Sequence, residues 1–148
     1  MKKVFRILTL FVAIASMTAI TSCSKDKASL IVGKWQFDKA TISLSVDDPE
    51  MQEYFNQFIA EEENELNEEM KDATIEFKAD NTYISYFQDE PTGEPGQYSI
   101  DGDKLTMDEE VITIKSLTKS KLIWEIVETF TEDEFNGSVV STVEFKRI

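Results

Sequence analysis

The sequence has no histidine, and it has one cysteine among its 148 residues. Without histidine, the chain lacks the commonest general base and the commonest metal ligand of proteins. The same absence excludes the Ser-His and Cys-His arrangements of nucleophilic catalysis. A single cysteine cannot close a disulfide within the chain. We therefore expect no enzyme, no metal site and no cofactor.

Basic residues are also scarce, since 15 lysines and arginines stand against 29 aspartates and glutamates, for a net charge of −14. Binding of nucleic acid requires clusters of lysine and arginine that neutralise phosphates, so we expect no nucleic acid partner. The densest acids, in residues 61–69, fall outside the apolar stripe of a predicted helix. Because catalytic acids need a partly dry environment, we interpret these acids as a solvated face.

The lone cysteine, Cys23, lies where a long apolar run ends and a lysine-rich polar stretch begins. Three basic residues precede the apolar run at residues 7–20, and two small residues separate that run from the cysteine. The run has the length of the apolar region of a secretory signal and is too short to span a bilayer. This pattern predicts a signal peptide over residues 1–22.

The order of signal, small residues and Cys23 resembles the lipobox of bacterial lipoproteins. In that family a diacylglycerol is joined to the cysteine sulfur, the signal is removed, and the new amine is acylated, for example with palmitate. The resemblance implies that Cys23 anchors the protein to a membrane and that residues 23–29 form a short lipidated tether. Ser24 follows the cysteine, which resembles outer-membrane lipoproteins of the cell envelope. An uncleaved anchor and a buried free cysteine are the alternatives.

From residue 30 to residue 148 the sequence alternates apolar and polar residues, as β-strands do. The alternation predicts about eight antiparallel strands in up-and-down order. A strand meander leaves two exposed edges unless it closes on itself. We therefore expect a mainly β fold with a single closed β-barrel, in which the first and last strands pair. Hairpin turns are predicted at residues 80–81, 101–102, 118–120 and 136–137.

One segment departs from the strand period. Residues 47–70 carry apolar side chains at helical spacing, which predicts one amphipathic helix between strands 1 and 2, as a lid over one end of the barrel. Asp47 or Asp48 can cap this helix, and Pro49 fits its first turn. The parity of the apolar residues also changes within the first strand, which predicts a β-bulge near residues 39–41.

The ordered set of turn-linked strands resembles the bacterial lipocalin-like domains of small secreted lipoproteins. The resemblance rests on GKW at the start of the first strand, on the helix after it, and on FKADNTYISY, GQYSIDGDKLTM and LTKSKLIW. In lipocalins the tryptophan of Gly-x-Trp lies at the closed end of the barrel, and an arginine near the chain end packs over its ring. The resemblance therefore implies a structural plug formed by Gly33, Trp35 and Arg147.

The remaining candidate chemistry is apolar and aromatic. An eight-stranded barrel has room for packed side chains or for one small ligand, and short strands with many large rings favour a mostly filled interior. We expect a lipid-anchored envelope protein that binds a small hydrophobic ligand. The alternative is a non-enzymatic interaction or accessory module of an envelope complex, with an unknown protein partner. The candidate ligand-lining residues are Phe77, Tyr83, Phe87, Tyr98, Trp124 and Phe130.

Overall fold

A computed structural model of the chain describes residues 24–132 and 135–148. The predicted signal peptide at residues 1–22 and the predicted lipidation of Cys23 lie outside the described residues. The described part contains two helices and nine strands. Their bounds are α1 Ser24–Ile31, β1 Gly33–Val46, α2 Pro49–Met70, β2 Ala73–Phe77, β3 Thr82–Phe87, β4 Glu90–Pro91, β5 Gly96–Asp101, β6 Lys104–Met107, β7 Glu110–Leu117, β8 Lys121–Glu132 and β9 Phe135–Arg147.

Eight strands form a closed antiparallel barrel, because each pairs with the next along the chain and β9 returns to β1. The short β4 pairs with the end of β3. The predicted mainly β fold, with one up-and-down barrel and a helix between its first two strands, is confirmed. Three of the predicted turns are also confirmed to within two residues, at residues 78–81, 102–103 and 118–120.

The first strand contains the predicted bulge. Its register with β9 shifts between Phe37 and Lys39, close to the predicted position. Trp35, Phe37 and Ala40 are all buried, although Phe37 and Ala40 are three positions apart and would lie on opposite faces of a regular strand. The extra residue of the bulge therefore brings both apolar series of β1 to the same side of the sheet.

We call the end of the barrel at which β1 begins and β9 ends the lower end. Here all eight strands pair, and large side chains fill the interior. The largest fully buried side chains are Trp35, Phe77, Ile31, Leu105 and Leu122. Because a close-packed interior leaves few voids larger than a water molecule, this part of the barrel has no room for a ligand.

The strands β1, β8 and β9 are longer than the others and extend above the closed part. The ladder between β1 and β2 ends at Gln36, and the ladder between β7 and β8 ends at Glu125. Beyond these points β1, β9 and β8 continue as a three-stranded sheet. We call this part the upper sheet and define it as residues 42–46, 126–132 and 135–141.

The helix α2 runs along the edge of β1 that β2 does not reach. Asp48 caps this helix, since its carboxylate accepts hydrogen bonds from the backbone N–H groups of Glu50 and Met51. The contacts of α2 concentrate on β1, so the helix flanks the barrel and is not the lid that we expected. No helix among the described residues has both the length and the apolarity needed to cross a bilayer.

Polar side chains of α2 take the place of a neighbouring strand along this edge of β1. The hydrogen bonds span 2.8–3.0 Å. Without them the N–H and C=O groups of the edge would lack partners. The bonds join Asn67 to both backbone groups of Ala40, Gln52 to the C=O of Leu44 and the N–H of Val46, and Glu63 to the N–H of Ile42.

The predicted turn at Asn136 and Gly137 is wrong, because both residues lie within β9 and pair with β8. A Cβ atom at Gly137 would come within 2.3 Å of the Phe130 ring and within 2.8 Å of Val46. The glycine is therefore required by close packing between strands and not by a turn.

The segment that follows Cys23 also differs from the expected tether. Residues 24–29 belong to α1, which packs against β5 and β7 at the lower end. The last residue of α1, Ile31, is fully buried, and Lys27 forms an ion pair with Asp103. Burial of Ile31 and this ion pair hold the segment against the barrel, so it is part of the folded domain.

Candidate ligand site in the upper barrel

The lower end of the barrel is closed by a plug around Trp35. The indole N–H of Trp35 donates a hydrogen bond to the C=O of Ile31 at 2.7 Å. The Cζ atom of Arg147 lies 4.2 Å from the centroid of the Trp35 ring, which is a cation–π geometry. Gly33 has a φ of +136°, and a Cβ atom there would meet the Arg147 guanidinium at 2.3 Å. The three plug residues named from the sequence thus lie together.

The guanidinium of Arg147 also joins three segments of the chain. It donates hydrogen bonds to the C=O of Lys119 at 2.6 Å, to the C=O of Val32 at 2.8 Å, and to the C=O of Leu30. These carbonyls belong to the turn before β8, to the residue before β1 and to the end of α1. Because these hydrogen bonds close the lower end of the barrel, a ligand site is expected at the upper end.

The inward side chains of β1, β9 and β8 form rows that follow the strand register, and burial falls from row to row. The lowest row, Phe37–Phe145–Leu122, is buried, and in the next, Ala40–Val143–Trp124, two members are buried. The three rows above are only partly buried throughout: Ile42–Ser141–Ile126, Leu44–Val139–Glu128 and Val46–Gly137–Phe130. We call the inward face of these three rows the upper trough.

One face of α2 borders the upper trough. Met51, Phe55, Ile59 and Leu66 share this face by helical spacing, and all four are partly buried. Leu66 packs against the buried core. Together with the hydrogen bonds of Glu63 to Ile42 and of Gln52 to Leu44, this contact places α2 beside the trough with its apolar face towards the barrel.

The upper trough is mostly apolar and contains two polar side chains, Glu128 and Ser141. Ligand sites in proteins commonly combine an apolar lining with a few polar groups that orient the ligand. A carboxylate accepts hydrogen bonds, and a hydroxyl both donates and accepts them. The trough therefore suits an apolar molecule that carries a hydrogen-bond donor.

Two exposed aromatic residues stand at the margin of this helix face. Tyr54 is 54% exposed and Phe58 is 46% exposed. The Tyr54 ring lies 4.7 Å from the Phe58 ring and 5.7 Å from the Phe55 ring, measured between centroids. The sequence placed these residues in an apolar stripe, but periodicity alone does not show that two of them stay in solvent.

Three of the six predicted lining residues belong to the buried core. Phe77 and Tyr98 contact each other edge to face, with 4.9 Å between ring centroids. Trp124 lies 4.4 Å from Phe145 and is 8% exposed. Phe77 and Tyr98 lie in the closed part, whereas Trp124 lies directly below the upper trough.

The other three lie apart from one another. Phe130 is in the top row of the upper trough, and Phe87 is 42% exposed at the end of β3. Tyr83 donates a hydrogen bond to Asp108 at 2.7 Å. Burial, assisted by this hydrogen bond, raises the pKa of Tyr83 to about 12. The backbone N–H of Gln97 and the Tyr83 hydroxyl lower the pKa of Asp108.

A separate pocket of about 400 Å³ lies away from the upper trough. It opens widely to solvent, and most of its lining is polar, so it does not suit an apolar ligand. The pocket is lined by Gln36, Asp72, Thr74, Gln88, Asp89 and Ile148.

Within residues 24–132 and 135–148, no three side chains of metal-ligating type lie together.

Comparison with protein families identifies a matching family. The family model of the lipocalin-like domain matches residues 31–124, which is more than half of the chain. The matched range begins at the last residue of α1, includes β1 to β7, and ends within β8. No curated protein matches the chain.

Proposed function

Because the chain belongs to the lipocalin-like domain family, whose barrel fits a small-ligand-binding role, we propose that it binds a small hydrophobic ligand in the upper trough. One observation carries this proposal: the inward rows of the barrel are filled and buried below Trp124 and partly exposed above it. Covering this exposed apolar surface with a ligand is favourable by about 25 cal/mol per Å².

The chemistry of the upper trough narrows the ligand class. Its apolar side chains would contact the body of the ligand, and Glu128 would accept a hydrogen bond from an amine or another donor. The net charge of −14 and the carboxylate of Glu128 would repel an anionic head group. The proposed ligand is therefore a neutral or cationic amphiphile and not a fatty acid anion.

A fluorescence displacement assay tests the ligand class. With N-phenyl-1-naphthylamine as the reporter, we expect dodecylamine to displace the probe and dodecanoate, which has the same chain length, to displace it much more weakly. Leu44→Ser removes apolar contact in the middle row and should weaken dodecylamine binding about tenfold. Glu128→Gln should reduce the preference for the amine about threefold, since a partly exposed charge pair contributes modestly.

The matched control is Val111→Ser, because Val111 is 59% exposed on β7 and lies outside the trough. It should leave dodecylamine binding unchanged. If Leu44→Ser and Val111→Ser have the same effect, or if dodecylamine shows no saturable displacement up to high micromolar concentration, the trough is not a ligand site.

The second part of the proposal concerns location. We propose that Cys23 carries the lipid anchor and that the protein acts in the cell envelope, at the outer membrane, without a catalytic step. Mass spectrometry of the membrane fraction should find a chain that begins at Cys23 and carries a diacylglyceryl group and an amide-linked acyl chain. Cys23→Ser should release the protein from the membrane fraction. A mature chain with an unmodified Cys23 would rule out the anchor.

A further inference from the structure

The two edges of the upper sheet differ in whether their backbone groups have hydrogen-bond partners. Side chains of α2 bond the backbone along the β1 edge. At the β8 edge, the ladder with β7 ends at Glu125, whereas the ladder with β9 continues to Glu132. In the described ranges of the chain, no strand pairs with this edge over residues 126–129, which we call the open edge.

Exposed valines lie beside the open edge where β7 and β8 separate. Val111 of β7 is 59% exposed, and Val127 of β8 is 55% exposed. Val127 pairs across the sheet with Val140, which is also partly exposed on the outward face. Contiguous exposed apolar patches on a protein surface commonly mark interaction sites. The open edge thus combines free backbone positions with an apolar outward surface.

The open edge lacks most of the devices that prevent strand addition. Natural edges are commonly blocked by proline, lysine, a bulge or a covering segment. Residues 126–129 read Ile-Val-Glu-Thr, and the regular ladder with β9 shows no bulge there. Only the glutamate, Glu128, adds a charge to this edge, and that charge is negative.

The charges around the open edge are mostly negative and favour a positively charged partner. Glu109 and Glu110 lie at the start of the diverging β7, and Glu128 lies on the edge itself. The neighbouring Glu125 is paired with Lys115 at 3.3 Å. Since the whole chain carries a charge of −14, a second copy would be repelled. A segment rich in lysine or arginine would be attracted.

We propose that the open edge binds an extended segment of a basic partner protein as an added β-strand. Main-chain hydrogen bonds to residues 126–129 provide the attachment, as in other cases of strand addition. Side chains of a strand alternate between faces, so the segment places an apolar residue beside Val127 and a basic residue beside Glu128. Because the added strand is short, the association is weak, and it depends on the salt concentration.

A synthetic peptide tests the proposal on the purified full-length protein. A decapeptide of alternating valine and lysine should bind saturably and slow hydrogen exchange at one or more amides of residues 126–129 by about tenfold. Its affinity should fall several-fold when salt rises from about 50 to 500 mM, because screening weakens exposed charge pairs. The same peptide with alternate backbone nitrogens methylated should bind at least tenfold more weakly, since it cannot complete the ladder.

Two variants separate strand addition from general attraction between charges. Val127→Lys replaces the apolar contact with the incoming valine by a positive charge on the edge, which repels a basic peptide, and should weaken peptide binding about fivefold. Ile148→Lys adds the same charge at another exposed site, 62% exposed, and should not weaken it. Val127→Lys should also leave displacement of the naphthylamine probe by dodecylamine unchanged, so the two proposals can fail separately.

Three results would overturn the proposal. The first is equal binding of the N-methylated peptide, and the second is an equal effect of the two lysine variants. The third is protection of residues 126–129 in the protein alone that grows with its concentration, because the edge would then bind a second copy.

Discussion

Replacing Trp35 by alanine should lower the free energy of unfolding by about 3–5 kcal/mol, which is the largest effect that we expect from one substitution in this chain. Small domains have total stabilities of about 5–15 kcal/mol, so the variant would be close to unfolding at physiological temperature. Urea unfolding followed by far-ultraviolet circular dichroism measures the loss directly.

The expected loss has three causes. The Trp35 side chain is fully buried, so alanine leaves a cavity at the base of the barrel. The C=O of Ile31 loses the indole N–H that bonds it at 2.7 Å. The guanidinium of Arg147 loses the ring that it covers at 4.2 Å. Because Arg147 also bonds three backbone carbonyls, the damage should spread to α1 and to the turn before β8.

The two tryptophans provide a matched comparison. Trp35→Phe and Trp124→Phe both keep an aromatic ring and lose an indole N–H. The N–H of Trp35 has a bonded partner, whereas the Trp124 Nε1 atom is buried with no hydrogen-bond partner among the described residues. Trp35→Phe should therefore cost about 1–2 kcal/mol more than Trp124→Phe. Equal losses would mean that the plug depends on ring volume alone.

The barrel could be predicted from the sequence because its turns and periodicity are local signals. Asn81 and Gly102 have positive φ values of 65° and 61°, and both residue types tolerate that conformation. Pairing of β1 with β9 followed from one physical requirement, since an open meander would expose two edges. The Phe37–Lys39 bulge was visible as a change in apolar parity. The turns and the bulge are each encoded within a few residues, whereas the pairing of β1 with β9 follows from closure of the whole set of strands.

Other features depend on distant contacts and could not be predicted. The Asn136-Gly137 pair has the sequence of a tight turn, but Gly137 is needed because the Phe130 ring occupies the space of its Cβ atom. The partner of Asn67 on β1 is 27 residues away. A regularly spaced polar stripe on the helix, through Gln52 and Asn67, is the signal that could have indicated an edge contact.

The ligand-lining residues were predicted from their aromatic side chains, without knowledge of whether each lies in the closed part of the barrel or in the upper trough. Phe77 and Phe87 lie on neighbouring strands in the same sheet, yet one is 1% exposed and the other 42% exposed. The difference comes from the register and the length of each strand, which periodicity does not determine. For the same reason, the aliphatic residues of the upper trough, such as Leu44 and Val139, were not named from the sequence.

Replacing Asn67 by alanine should lower the free energy of unfolding by about 2–4 kcal/mol, although Asn67 is a polar residue on a surface helix. Its side chain accepts a hydrogen bond from the N–H of Ala40 at 2.8 Å and donates one to the C=O of the same residue at 2.9 Å. Ala40 is 3% exposed, so water cannot easily replace these bonds. A buried backbone group left without a partner costs about 1–3 kcal/mol.

The control for this substitution is Asn64→Ala, three residues earlier on α2 and exposed, which should change stability by less than about 0.5 kcal/mol. Asn67→Asp keeps an acceptor for the Ala40 N–H but loses the donor, so its loss should be intermediate. Because the charge of −14 opposes pairing between copies, Asn67→Ala should lose stability but remain monomeric in size-exclusion chromatography. If Asn67→Ala and Asn64→Ala were equally stable, the β1 edge would not need α2, and the helix would be free to leave the barrel.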